Sequence, residues 1–462
     1  MRFVSGPSVA TAMLLLSLGA DATPIKSNKS LRTRRSLNST TWKPAAFAES
    51  STLSKSTNYV ALKKVAGGSA RHSAAHLKGL TTPATNASTE LISLLEGEEF
   101  ATEITIGTQT FEVILDTGSS DTWVIESGFE CVDVGTKKKE SESYCDFGTP
   151  YTVEKTFTTI KNEDFNIGYG DGEFLEGIMG TETVTLAGIT VEKQTIALAN
   201  YAGWYGDGTT SGLTGFAYPA LAYSSNGTQK VYNPLFTTMY EDGLVDSYFS
   251  LAILRDVSGA SGYLTLGGLP PIDFDETFAT TPILVTSISG YPKGYDFYTI
   301  EVDSINLDGK VLSGGSGAKY IVCLTCHKRD DCDKWLMLIQ VDSGTTLNYY
   351  PTSMANAVNA AFSPPATYND TQGAYLVDCN ATAPAHTITI GGTEFTINPL
   401  DMILYVGDNL CISGIDDGGD NASEDLYILG DTFQKNVVSV FDVGAAEMKF
   451  APNVNYTSND TY

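Results

Sequence analysis

A short motif occurs twice in this chain, each time directly after an apolar run. The first copy, Asp-Thr-Gly-Ser, begins at Asp116, and the second, Asp-Ser-Gly-Thr, begins 226 residues later at Asp342. In each half a later apolar run ends in glycine, at Gly215 and at Gly430. An internal repeat of this kind indicates two related structural units. The sequence therefore predicts a chain of two lobes, each with one copy of the motif.

The text between Phe100 and Val454 is typical of a β protein. Short runs rich in Val, Ile, Thr, Tyr and Phe alternate with Gly, Asp and Asn, and only 18% of all residues are charged. Repeated strand and turn signals over such a length predict a mostly β fold. Two short helices are expected, at Asn233–Glu241 and Ser353–Ala361.

An aspartate that closes an apolar strand needs partners, because burying an unpaired carboxylate is costly. A single Asp-Thr-Gly could be an ordinary β-turn, but two copies on two apolar strands favour a shared site. After each Asp, glycine lets the backbone turn its N–H groups toward the carboxylate, and the hydroxyl three residues on can donate to it. The middle hydroxyls can tie one loop to the other lobe. The predicted supporting residues are Thr117, Gly118, Ser119, Ser343, Gly344 and Thr345.

Two carboxylates brought within hydrogen-bonding range share one proton over an acidic range. The ionised partner can take a proton from a water molecule between them, while the protonated partner polarises a peptide carbonyl. The two motifs thus predict peptide hydrolysis by Asp116 and Asp342. Serine, cysteine and metal hydrolases are disfavoured, because the body has only two histidines, no nucleophile elbow and no His-Glu-x-x-His.

The segments V-I-L-D-T-G-S-S-D-T-W-V from Val113 and I-Q-V-D-S-G-T-T-L-N-Y-Y-P from Ile339 resemble the active-site segments of the pepsin family. The D-S-G-T-T form is similar to that of secreted yeast and fungal members of the candidapepsin or yapsin type. The resemblance implies two pseudo-twofold-related β lobes, residues 91–272 and 273–462, with a cleft between them. It implies a monomeric aspartic-type endopeptidase that needs no cofactor or metal. A catalytically inactive pepsin-like protein that binds a partner is the alternative.

The segment F-N-I-G-Y-G-D-G resembles the family's flap, a hairpin that closes over the cleft. The resemblance places Tyr169 at the flap tyrosine and Gly170 and Asp171 at the tip. Trp123 matches the tryptophan whose indole N–H holds that tyrosine. Glu173 departs from the small polar residue that is usual there.

The resemblance also implies two disulfides, Cys131–Cys145 and Cys379–Cys411. The first encloses a lengthened loop with three consecutive lysines, Lys137 to Lys139. Cys323, Cys326 and Cys332 precede Asp342 where relatives have one small disulfide loop, so one bridge with one unpaired thiol is expected. A metal site with His327 is the alternative, although the spacing fits no standard zinc pattern.

The first 80 residues differ in charge from the remainder. They hold twelve Lys and Arg against two Asp and Glu, a balance of +10, whereas the rest of the chain carries −36. Residues 1–22 fit a cleaved secretory signal, and residues 23–90 are expected to be a basic propeptide and linker. Seven glycosylation sequons beyond residue 80 agree with secretion, with a vacuolar destination as the alternative. The acidic body argues against nucleic-acid binding, and no membrane anchor is expected.

Y-V-A-L-K-K-V, from Tyr59, resembles the start of a pepsin-type propeptide, whose lysine is expected to reach the catalytic carboxylates. Lys63 and Lys64 are both candidates. The expected partners are thus polypeptide substrates and the chain's own propeptide. A basic leader should hold an acidic body at neutral pH and release it in acid; the alternative is that the charge split only serves solubility. The mature N-terminus is expected between Arg35 and Leu95.

Overall fold

The computed structural model of the chain describes ten stretches of sequence. They are residues 53–66, 98–169, 172–224, 230–254, 261–285, 294–312, 337–369, 373–406, 409–419 and 427–453. All of them belong to one compact unit, Phe47–Tyr462. Within these stretches, no helix has the length and apolar character that a membrane crossing requires.

The first half of the described chain is built from short strands. They are β1 (Tyr59–Ala61), β2 (Lys63–Ala66), β3 (Glu98–Ile106), β4 (Gln109–Asp116), β5 (Thr122–Cys131), β6 (Thr158–Gly168), β7 (Phe174–Leu186), β8 (Ile189–Gly203), β9 (Gly212–Gly215), β10 (Tyr223–Ser224), β11 (Lys230–Val231), β12 (Tyr248–Ile253) and β13 (Gly262–Leu266). Helix α1 (Leu235–Glu241) and 3₁₀ turns at Glu142–Tyr144 and Pro219–Leu221 complete it.

The second half repeats this character. Its strands are β14 (Ala279–Pro282), β15 (Thr299–Val302), β16 (Ser304–Leu307), β17 (Lys310–Val311), β18 (Met337–Val341), β19 (Asn348–Pro351), β20 (Thr367–Asn369), β21 (Ala374–Val377), β22 (His386–Ile390), β23 (Thr393–Ile397), β24 (Ile403–Tyr405), β25 (Cys411–Ser413), β26 (Ile415–Gly419), β27 (Ile428–Leu429), β28 (Val437–Asp442) and β29 (Glu447–Pro452). Helices α2 (Thr352–Ala360) and α3 (Asp431–Gln434) and a 3₁₀ turn at Pro399–Met402 complete the set. Both expected helices are confirmed to within two residues.

An eight-stranded sheet forms the first lobe, in the order β2-β3-β4-β9-β5-β8-β7-β6. Strand β4 runs from a half-exposed start into a fully buried end, because its last four residues, Val-Ile-Leu-Asp, all face the interior. The glycine-terminated strand β9 lies parallel to β4, so that Asp116 is level with Gly215. The repeat read from the sequence is therefore a pair of parallel strands in space.

The second lobe contains the same arrangement. Strand β18 ends at Val341, directly before Asp342, and β27 lies parallel to it with Leu429 level with Val341. These strands belong to a five-stranded sheet, β15-β18-β27-β19-β26, and two four-stranded sheets pack in the same half. Each aspartate thus follows a buried strand that has a parallel, glycine-terminated neighbour.

A six-stranded sheet, β1-β13-β12-β28-β29-β14, combines strands from both halves of the chain. At its centre Phe249 of β12 stacks on Phe441 of β28, with 4.5 Å between ring centroids. This shared sheet and its aromatic core join the two lobes.

Two strands of the predicted propeptide lie at sheet edges. Tyr59 of β1 pairs with Thr265 at the edge of the six-stranded sheet, and Lys63 of β2 pairs with Ala101 at the edge of the eight-stranded sheet. Leu62, between the two strands, is only 2% exposed and belongs to the main hydrophobic core. Residues 53–66 are therefore docked on the body through backbone pairing and one apolar anchor.

Candidate active site

Asp116 is the last residue of β4 and has no exposed surface. The backbone N–H of Gly118 donates to its Oδ1 at 2.7 Å, and the Ser119 hydroxyl donates to its Oδ2. A carboxylate that accepts two such bonds can stay buried without an ion-pair partner. The geometry is the one expected from the Asp-Thr-Gly-Ser sequence.

Asp342 has the same surroundings in the second lobe and is also fully buried. The N–H of Gly344 donates to its Oδ1 at 3.0 Å, and the Thr345 hydroxyl donates to its Oδ2 at 2.7 Å. The two carboxylates thus receive matched bonds from their own loops. Neither loop by itself marks its aspartate as the acid or the base.

Reciprocal bonds tie the two loops together. The Ser343 hydroxyl donates to the Leu115 carbonyl at 2.9 Å, and the Thr117 hydroxyl donates to the Val341 carbonyl at 3.3 Å. The N–H of Ser343 also donates to Thr117 Oγ1 at 2.9 Å, and the N–H of Thr117 donates to Ser343 Oγ at 3.2 Å. Because each acceptor carbonyl lies one residue before an aspartate, these bonds bring the two motifs to one place.

The β6–β7 hairpin carries Tyr169 to the side of the first aspartate. The indole N–H of Trp123 donates to the Tyr169 hydroxyl at 2.8 Å, and both side chains are buried. Trp204 packs edge-on against Trp123 and Tyr169, with centroid distances of 5.2 and 5.6 Å. Burial, and then the charge of Asp116, raise the pKa of Tyr169 well above its ordinary value, so this phenol stays neutral. Gly170 and Asp171, the predicted tip, lie outside the described residues.

Glu173, the residue that departs from the family pattern, is completely buried. Its Oε1 accepts the backbone N–H of Tyr205 at 2.6 Å, and its own carbonyl accepts the N–H of Tyr169 at 2.8 Å. Glu173 therefore fixes the base of the hairpin turn to the chain that follows Trp204, where a small polar residue would be too short to do so.

Sequence reasoning missed a second buried acid, Asp121, three residues after the hydroxyl of the first motif. It is 4% exposed, and the Tyr232 hydroxyl donates to its Oδ1. Burial raises the pKa of Asp121 to about 7, an effect that the Tyr232 bond partly offsets. An acidic residue inside an otherwise apolar and hydroxyl-rich segment was the available signal. Nothing in the sequence pointed to Tyr232, which is 111 residues away.

His386 has a structural environment. It is fully buried, and its Nδ1 donates to the Asn306 carbonyl at 2.9 Å, so that Nε2 can accept the Tyr350 hydroxyl at 3.0 Å. Burial lowers the pKa of His386 to about 4. Asn348 links this pair to the second motif, because it donates to Tyr350 and accepts the N–H of Gly430 at 3.0 Å.

Both predicted disulfides are present: Cys131 is bonded to Cys145, and Cys379 to Cys411. Each lies in one lobe. Cys323, Cys326, Cys332 and His327 lie outside the described residues, and the predictions for them stay predictions.

Of the two propeptide lysines, Lys63 does not approach the aspartates here. Its ammonium group binds both carboxylate oxygens of Glu112 at 2.8 Å, and its side chain is 57% exposed. Strand β2 turns this side chain outward, since successive residues of a strand face opposite sides. The side chain of Lys64 lies outside the described part of the chain.

Residues 99–453 match the protein family described as eukaryotic aspartyl protease. A probable aspartic-type endopeptidase of Aspergillus fumigatus is 49% identical over 457 residues, which cover 96% of this chain and 99% of that protein. Cathepsin E of Aquarana catesbeiana is 32% identical over 381 residues, or 80% of this chain and 83% of its own. The aspartic proteinase of Irpex lacteus superposes with a TM-score of 0.59 at 19% identity, over 87% of this chain and 100% of that structure. The superposition shows a mostly β, bilobal pepsin-like fold, as predicted.

Proposed function

This chain belongs to the eukaryotic aspartyl protease family and is an aspartic-type endopeptidase, and we propose that it is a secreted zymogen that hydrolyses proteins in acid with Asp116 and Asp342. The observation that carries the site assignment is the reciprocal bonding of the two motif loops, which joins two buried carboxylates in one site. The D-S-G-T-T form and the similarity to an Aspergillus protein support a place among the fungal members.

The chemistry follows from one proton shared by the pair. The ionised carboxylate takes a proton from a water molecule, whose oxygen bonds to the carbonyl carbon of the scissile peptide. The protonated carboxyl group donates to the carbonyl oxygen, so that the tetrahedral intermediate is neutral. The C–N bond then breaks, and the leaving amine takes a proton from the pair.

The hairpin with Tyr169 is proposed to be the flap. A hairpin that closes over the reacting bond excludes water and completes the site. Its support is the bond from Trp123 to Tyr169 and the influence of the Asp116 charge on the phenol, which places the two groups near one another. The neutral hydroxyl of Tyr169 can donate to a bound peptide.

Secretion and synthesis as a zymogen rest on the N-terminal sequence and on the docked leader. Residues 53–66 pair with both large sheets, and Lys55 and Lys63 make ion pairs with Asp273 and Glu112. Exposed Asn380, in a sequon, is accessible to glycosylation. N-terminal sequencing of the protein recovered from culture medium tests this part, since an intact leader on active protein contradicts it.

The catalytic assignment is tested with Asp116→Asn and Asp342→Asn. We expect either change to lower acid cleavage of denatured casein by at least about 10³-fold, since each removes half of the acid–base pair. Circular dichroism and melting temperature should be those of a folded protein. A statin-type transition-state analogue should inhibit the unchanged enzyme. Activity that survives in either variant contradicts the assignment.

A further inference from the structure

The lengthened loop between Cys131 and Cys145, here called the lysine loop, has a defined conformation. Lys137 is in the left-handed region at φ 56°, which costs energy for a residue with a side chain. Asp133 supports the turn: its carbonyl accepts the N–H of Lys137 at 2.9 Å, and its Oδ1 accepts the N–H of Thr136 at 2.6 Å. The Tyr144 hydroxyl donates to its Oδ2 at 2.7 Å. Both ends of the loop are fixed by the disulfide.

The lysine loop lies against the outgoing arm of the flap hairpin, Gly172 to Phe174. A Cβ built on Gly172 would be 3.8 Å from Val134 Cγ1. The ammonium group of Lys137 lies 3.4 Å from the centroid of the Phe174 ring. These contacts fall on either side of Glu173, whose buried carboxylate binds the opposite, inner side of the arm.

Phe174 has little freedom to move away from this contact. A Cβ on Gly203 would lie 2.2 Å from an atom of the Phe174 ring, so the ring covers the backbone of β8 at close range. Tyr201 packs beside it at 5.8 Å. The ring is thus held between β8 and the Lys137 ammonium group.

We propose that the lysine loop is a clamp on the flap hairpin, and that Lys137 is the positioning residue through which the loop holds Phe174. This inference rests on the proposed role of the Tyr169 hairpin as the flap. An open flap that moves Phe174 away from Lys137 loses the cation–π contact, so this contact favours the closed state. Lys137 touches neither substrate nor the reacting atoms.

The clamp operates in the acid range. The bonds from Thr136 and Tyr144 lower the pKa of Asp133, so that this carboxylate stays ionised and keeps its turn in acid. Burial lowers the pKa of Lys137 while the charges of Asp133 and Glu176 raise it, and the ammonium group is cationic below neutrality. Lys138, by contrast, is exposed, and Lys139 forms its own ion pair with Glu130 at 2.7 Å.

The test uses the mature enzyme with Lys137→Met, which keeps the aliphatic stem and removes the charge. Lys138→Met is the matched control from the same loop. We expect Lys137→Met to raise KM and the dissociation rate of a statin-type inhibitor about three- to fivefold without lowering kcat, because closure is weakened and chemistry is not. Amide hydrogen exchange in Ile167–Leu175 should also become faster than in the control. Lys137→Arg, which retains the cation, should restore all three.

A double-mutant cycle with Phe174→Leu shows whether the effect passes through the ring. The double variant should resemble either single variant, since both remove one contact. Additive effects, or exchange and inhibitor release equal to those of Lys138→Met, overturn the clamp. Hydrogen exchange does not depend on turnover, so this outcome is separate from that of Asp116→Asn, whose surviving activity would instead overturn the proposed catalytic site.

Discussion

At the scale of single residues, buried groups set how stability depends on pH. Asp121 has a pKa of about 7 in the folded protein against an ordinary value of 3.8, because burial disfavours its charge. The folded state therefore holds a proton that the unfolded state has already released between these two values. The stabilisation is complete below about pH 4 and is lost as the pH rises to about 7.

We expect Asp121→Asn to remove this dependence. The difference in unfolding free energy between variant and parent should shift in favour of the variant by up to about 4 kcal/mol from pH 4 to pH 7. Urea unfolding across this range measures the shift. Tyr232→Phe is the opposite control, because it removes the bond that lowers the pKa and should steepen the dependence. A constant difference between Asp121→Asn and parent would contradict the assignment.

The comparison must be made against the parent at each pH, because His386 acts in the opposite direction. Its pKa is lowered to about 4 by burial, so its neutral form stabilises the protein above pH 6.5 and the contribution is lost as the pH falls through 4. Between these values the two groups partly cancel, and the parent alone shows little slope from either.

At the scale of elements, strands β1 and β2 are the part of the leader that the body recognises. Leu62 joins them and fills a site in the main core, where it is 2% exposed. The strands add backbone pairing on two sheet edges, which would otherwise present free N–H and C=O groups. Removal of the leader therefore changes both sheets.

Leu62→Ala shows on which side of the processing site these strands fall. The cavity should lower the stability of the unprocessed chain by about 2–4 kcal/mol, as seen in thermal unfolding. If processing removes residues 53–66, the mature enzyme made from the variant should melt like the parent. An equal loss in the mature enzyme would show that these strands stay with it, and that the predicted propeptide of residues 23–90 ends earlier. Val311→Ala, at a 70% exposed position, is the control.

At the scale of the whole molecule, charge separates leader from body. The first 80 residues carry +10 and the rest −36. Lys55–Asp273 at 3.7 Å and Lys63–Glu112 at 2.8 Å are two described ion pairs between them, with every partner at least 34% exposed. Exposed pairs contribute about 0–1 kcal/mol each, so an electrostatic restraint on the leader must be the sum of many.

Maturation should therefore be fast in acid, where carboxylates lose their charge, and slow toward neutral pH. Added salt should speed it most at pH 5–6, since screening weakens the same attractions. Gel analysis of leader removal from pH 3 to 7 at low and high salt measures this, normalised to casein cleavage by mature enzyme. Equal rates at neutral pH, or no effect of salt, would favour the alternative that the charge split serves solubility.

The sequence by itself determined the fold class and the site motifs, because both depend on local chemistry. An Asp at the end of a buried strand needs an N–H and a hydroxyl close by, and Gly118 with Ser119, or Gly344 with Thr345, supply them within three residues. The two disulfides came from family resemblance. All these features are written at fixed short spacing or in recognisable segments.

Only the tertiary structure decided which distant groups meet. Tyr232 reaches Asp121 across 111 residues, and Lys137 reaches the Phe174 ring through a loop whose path no local pattern fixes. Lys63 pairs with Glu112 because β2 sets the direction of its side chain. A strand's facing, a loop's path and a burial site's dielectric are properties of the packed molecule, since they depend on neighbours that the sequence does not place side by side.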